Sequence, residues 1–216
     1  MTATAAVACT PEARVTRSLL GYGVIAGPLY VTVSLAQAFT REGIDPTRHA
    51  WSMLANGRLG WIQTLNLVLT GLMVVAAAAG VRRAAGRGGV PLAIYGVGMV
   101  LAGFFRADPG RGFPPGAEAG ALSWHSAEAG ALSWHGAVHL AAAGVGFAGL
   151  VAATFVLARE VGGLWSRTVG VVFVAAFVAM NASAGAAWAI VAFSVAVGAV
   201  SVWLSALSVR LYRTVR

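Results

Sequence analysis

Uninterrupted apolar runs of bilayer length, each closed off by arginine, recur along this chain, and nothing constrains its folding more. A hydrocarbon core about 30 Å thick takes roughly 20 apolar residues as a helix, and a helix satisfies its own backbone polar groups in lipid. Runs fall at 18–39, 60–81, 90–105 and 136–158, and the stretch 168–209 is about twice a bilayer length. Asn181-Ala182-Ser183-Ala184-Gly185 is the one turn signal inside that stretch, which divides it into 168–183 and 188–210. The expected fold is therefore all-α: a polytopic membrane bundle of six transmembrane helices, built as a single domain over 18–213 after a disordered leader at 1–17. Two arginines before the first run and Ala36-Gln37-Ala38 near its end imitate a secretory signal. The run exceeds a signal core of about 7 to 15 residues, so a retained helix is expected. Gly23 and Gly27 suit close packing there, and Pro28 predicts a kink. The third run is the short one, reaching only about 24 Å at 1.5 Å per residue.

Composition enters mainly to exclude. The chain is 58% hydrophobic and 10% charged, against roughly 25% charged in soluble domains. Its net charge of +8 comes from basic residues that are all arginine, and in a soluble chain that charge would suggest nucleic acid. Here the arginines bracket apolar runs, which marks topology and anionic lipid headgroups, and no nucleic-acid partner is expected. The lone Cys9 excludes an intramolecular disulfide.

Six spans put both termini on one side of the membrane. Arg14, Arg17, Arg82, Arg83, Arg87, Arg159, Arg167, Arg210, Arg213 and Arg216 share that side, and only Arg41, Arg48, Arg58, Arg106 and Arg111 lie opposite. Positive charge stays inside, so the expectation is a multi-pass plasma-membrane protein with cytoplasmic N and C termini. All four histidines then fall on the outer side.

The outer side also gathers the polar residues that carry chemistry. The segment from Asp45 to Gly57 has an Asp N-cap, Pro at the first helical position and Gly past the end, which predicts a short interfacial helix between spans one and two. Asp45, Arg48, His49 and Ser52 share one face of it, as a solvated face or as part of a site. Gln63, Asn66 and Thr70 form a stripe on span two that must face protein rather than lipid. The outer loop 106–135 contains a tandem repeat, in which Ala117 to His125 (AEAGALSWH) recurs as Ala127 to His135. His135 and His139 then stand one helical turn apart, whereas His125 lacks that register.

In order and spacing, these residues resemble a bacterial membrane-protein family catalogued as domain of unknown function 998, over Ser18 to Arg213. The resemblance rests on Asp45 to Ser52, Gly60-Trp61-Ile62-Gln63 with Asn66, Ala107-Asp108-Pro109, Phe113-Pro114-Pro115-Gly116, and Trp134-His135-Gly136 with His139. The duplicated AEAGALSWH departs from the family pattern. The resemblance implies a polytopic bacterial membrane protein and supplies no reaction.

Two functional expectations follow from the residues. In the first, Asp45, Arg48, His49, Ser52, Gln63, Asn66, Arg106, Asp108, His135 and His139 form an outer polar pocket. Its role is to bind an anionic lipid headgroup or small molecule, or to serve an accessory function, with Arg48 and Arg106 gripping the anion. Spans two and four would meet at their outer ends to form it. In the alternative, His135, His139 and Asp108 hold a divalent metal whose bound water hydrolyses a lipid-linked substrate. No Glu stands between the histidines as it does in zinc proteases.

Overall fold

Each long apolar run becomes a helix whose ends are set by local chemistry, and the computed structural model describes residues 10–117 and 132–216. Residues 118–131, which hold His125 and most of both copies of the repeat, lie outside the described residues. Helix α1 spans Pro11–Thr40, α2 Gly60–Ala85, α3 Gly89–Phe104, α4 Trp134–Val156, α5 Ala158–Val161, α6 Gly163–Ala182 and α7 Ala187–Thr214. The α6–α7 turn falls where Asn181 to Gly185 predicted it, with Ala184 and Gly185 at positive φ. Helix α1 starts earlier than the expected end of a disordered leader. Thr10 caps it by accepting the Ala13 N–H at 3.2 Å, and Pro11 supplies a pre-formed first turn.

The helices form a closed ring. Going round it, α1 packs on α2, α2 on α3, α3 on α4, α4 on α6, α6 on α7, and α7 returns to α1. Glycines set the closest approaches. A Cβ on Gly71 of α2 would fall 2.6 Å from the Gly96 carbonyl oxygen of α3, and one on Gly98 would fall 2.8 Å from the Gly146 Cα of α4. Backbones that touch this closely gain dispersion contacts that lipid tails cannot give.

Helix α1 runs as helix through Pro28. Proline has no N–H, so the Val24 carbonyl one turn earlier loses its intrahelical partner. Ser205 of α7 supplies the replacement, donating from its hydroxyl to that carbonyl at 2.9 Å. A second polar link ties α7 to α6 and α4: Trp203 Nε1 donates to Ser166 Oγ at 2.6 Å, and Ser166 donates on to the Thr154 carbonyl at 2.9 Å. Between these links the core is apolar, with Leu20, Leu92, Leu150, Phe173 and Trp203 fully enclosed.

The outside of the ring is apolar as well. Leu72, Val97, Val145, Val171 and Val195 are all exposed, an arrangement that water would not tolerate and lipid requires. Among the described residues five helices, α1, α2, α4, α6 and α7, are long and apolar enough to cross a membrane, and α3 is a shorter apolar helix. The protein is an all-α, multi-pass membrane bundle.

One expected element takes a different form. Residues 45–57 do not make one interfacial helix; a turn at Asp45 to His49 is followed by a 3-10 helix, η1, at Trp51–Ala55. The break comes at Ala50, whose extended backbone redirects the chain. Trp51, Met53, Leu54 and Ala55 are buried, with Trp51 tilted against Tyr30 at 5.9 Å between ring centroids. The segment plugs the end of the bundle with these buried side chains.

Candidate functional site

The polar stripe of α2 turns inward, and its partners come from α1. Gln63 is fully buried and its Oε1 accepts from Gln37 Nε2 at 2.8 Å, Asn66 Nδ2 at 3.2 Å and Ser34 Oγ at 3.4 Å. Gln63 Nε2 donates back to Ser34 Oγ at 3.0 Å, and Asn66 Nδ2 also reaches the Tyr30 carbonyl at 3.2 Å. Ser34 and Gln37 are residues that the sequence reading passed over. Tyr30, Ser34 and Gln37 recur at i, i+4 and i+7, a stripe as visible in the sequence as the one on α2. The expected meeting of spans two and four does not occur, because α3 packs between them. Gln63 and Asn66 therefore share their hydrogen bonds with α1 and not with His139.

Loop residues near the plug are held by backbone carbonyls. Asp45 Oδ1 accepts from Thr47 N at 2.8 Å and Thr47 Oγ1 at 2.6 Å, and these bonds hold its carboxyl below the usual carboxylate range. His49 is buried; its Nδ1 accepts the Asp45 N–H at 2.9 Å, which leaves the Nε2 proton to reach the Arg111 carbonyl at 3.2 Å. Both ring nitrogens are occupied, so His49 fastens two loops together and is not poised as a ligand. Arg111 was not among the expected residues, yet its guanidinium spans the rim. It donates to the carbonyls of Gly185 at 2.7 Å, Arg48 at 3.4 Å and Ala184. Burial, and then the nearby Arg48 charge, lower its pKa. Arg41 plays the same part beside it, donating to the carbonyls of Leu54 and Asn56 with its guanidinium over the Phe113 ring.

The start of α4 gives the expected metal ligands other roles. Ser133 is the N-cap, accepting the Gly136 N–H at 3.0 Å. Asp108 in turn accepts from Ser133 N at 3.0 Å and from Ser133 Oγ, which seats its carboxylate against the positive end of α4. Gly136 makes room for it, since a Cβ there would collide with the carboxylate. His139 is buried, with Nδ1 at 2.8 Å from the Phe105 carbonyl and 3.1 Å from that of Ala102. Carbonyls only accept, so the proton is on Nδ1 and the lone pair of the neutral ring is on Nε2. His135 is exposed and stacks on Trp134, with ring centroids 3.7 Å apart. Among the described residues no three His, Cys, Asp or Glu side chains stand close enough to hold a metal ion. The set His135, His139 and Asp108 is not assembled, because helix capping occupies the carboxylate and α3 carbonyls fix His139 while His135 faces outward.

Inside the ring lies a cavity of about 130 Å³. Its walls are mostly apolar, from Leu67, Met99, Phe147, Phe177 and Phe193, and the last three form an aromatic cluster at 5.1 to 5.8 Å, with Phe147 edge-to-face to the other two. Of the expected site residues, Arg48, Ser52, Asp108 and His139 line it. Asp45, His49, Gln63, Asn66, Arg106 and His135 do not. Tyr95, Ser194 and Asn181, the last read in the sequence only as part of a turn, add polar atoms. Arg106 is exposed on the loop, and Arg111 holds the rim in its place. Comparison with curated proteins and with solved structures gives no match. A family profile does match, over residues 24–210 and so into every helix of the ring, and the chain belongs to that family, protein of unknown function DUF998.

Proposed function

We propose that this protein crosses the plasma membrane six times, with both termini cytoplasmic, and binds a small amphipathic molecule in the cavity enclosed by its ring of helices. Helix α3 is the sixth crossing: it packs between two helices that are long enough to span, and local thinning with snorkelling by Arg106 makes up its shortfall. The arginine asymmetry sets the orientation, which puts the plug and the cavity mouth on the outer side. Ligand sites are typically concave and apolar, with a few convergent polar groups. The observation that carries the reading is the cavity itself, apolar within and bordered at its plug end by Arg48, Ser52 and Asp108. The test is to extract purified protein and identify retained small molecules and lipids by mass spectrometry, comparing the wild type with Ala143→Phe, which fills the cavity. A compound held by the wild type and lost from the variant is expected. Identical extracts overturn the reading.

A further inference from the structure

Arg48 differs from the arginines around it. Arg41 and Arg111 have their guanidinium groups on backbone carbonyls. Arg48 lines the cavity and is itself exposed, and its side chain makes no hydrogen bond among the described residues. Of the neighbouring carboxylates, Asp45 accepts from Thr47 through one oxygen and makes no hydrogen bond to Arg48, and both oxygens of Asp108 accept from Ser133. Ser52 lines the same mouth, and its hydroxyl is likewise uncommitted. A guanidinium fork and a hydroxyl lining one cavity, both with uncommitted donors, together suit a carboxylate or phosphate oxygen pair.

Volume limits what can be attached to that anion. An apolar cavity of about 150 Å³ takes one benzene ring, so the 130 Å³ here takes one ring or about five or six carbons of a chain, with the carbons nearest the head left at the opening. Two acyl tails do not fit. We propose that the occupant is a single-chain anionic amphiphile, with a carboxylate or phosphate head on Arg48 and Ser52 and its tail among Met99, Phe147, Phe177 and Phe193. The inference rests on the reading of the cavity as a binding site, and adds the charge and chain number of what it holds.

Binding of radiolabelled octanoate to protein in zwitterionic nanodiscs, corrected with empty nanodiscs, tests this. Octyl phosphate, octanol, acetate and dioleoyl phosphatidate serve as competitors. Saturable octanoate binding is expected, displaced by octyl phosphate, at least tenfold less well by octanol, and by neither acetate nor the two-chain lipid. Because hydrogen bonds to a charged group are among the stronger ones, Arg48→Gln should weaken octanoate about tenfold and leave octanol unchanged. Arg48→Lys should recover part of the loss. Octanol equal to octanoate, competition by acetate alone or by the two-chain lipid, an unaffected Arg48→Gln variant, or no saturable binding each overturns the proposal. Ala143→Phe separates the two readings: if it abolishes octanol and octanoate binding that are equal in the wild type, the cavity stands and the anion falls. If it alters neither, both fall.

Discussion

His135 and His139 stand one turn apart on α4 and do opposite things. The i, i+4 spacing in the sequence places their Cα atoms on one side of a helix, and it says nothing about depth. The first turn of α4 leaves His135 exposed beside Trp134, whereas the next is closed in by α3, whose last carbonyls His139 satisfies. Replacing His139 by Ala leaves buried acceptors without a donor, and should cost about 1–3 kcal/mol. His135→Ala should fall within about 0.5 kcal/mol of the wild type. Thermal unfolding of the two variants in the same detergent checks this, and equal destabilisation would return the two histidines to a common site. Asp108 teaches the same lesson. A carboxylate near two histidines suggests a ligand, but Ser133 as N-cap and Gly136 three residues later were the better signal, because together they describe a helix end that admits an acidic side chain.

At the scale of elements, hydropathy located the helices well because the length of a span is a local property of the sequence. Caps moved the ends: Thr10-Pro11 began α1 inside what looked like a leader, and the 45–57 segment broke at Ala50 although its start and stop residues read as one helix. What a helix packs against was less legible, since it depends on distant chain. Nothing near Val24 announces that Ser205 will satisfy its carbonyl. Glycine positions sharpen this into a prediction. Gly71→Ala and Gly96→Ala should each cost about 1–3 kcal/mol, because each added methyl meets the facing backbone within 2.7 Å. Gly144→Ala, with nothing within 4 Å of its added methyl, should be neutral or stabilising by up to about 1 kcal/mol through helix propensity. Chemical unfolding in mixed micelles ranks the three, and a Gly144 variant as damaged as the other two would contradict the close-packing account.

For the whole molecule, the orientation and the sixth crossing are tested together. In a Cys9→Ser background, an impermeant maleimide applied to intact cells should label Glu42→Cys and Arg106→Cys, and should reach Arg87→Cys only after permeabilisation. Labelling of Arg87 and Arg106 from the same side would show that α3 does not cross. Of the ten residues that the sequence grouped into one polar pocket, four line the cavity and six do not. It missed the enclosure, because a ring is a property of who neighbours whom. The seam of that ring lies between α1 and α7, closed by Ser205 on Val24 and by Arg17 on the Val215 carbonyl at 2.7 Å. Biogenesis inherits a consequence. The wall around the cavity joins the first helix to the last, so it is complete only when α7 has docked on α1. Until then, the surfaces that will line the cavity have no partner from the far end of the chain.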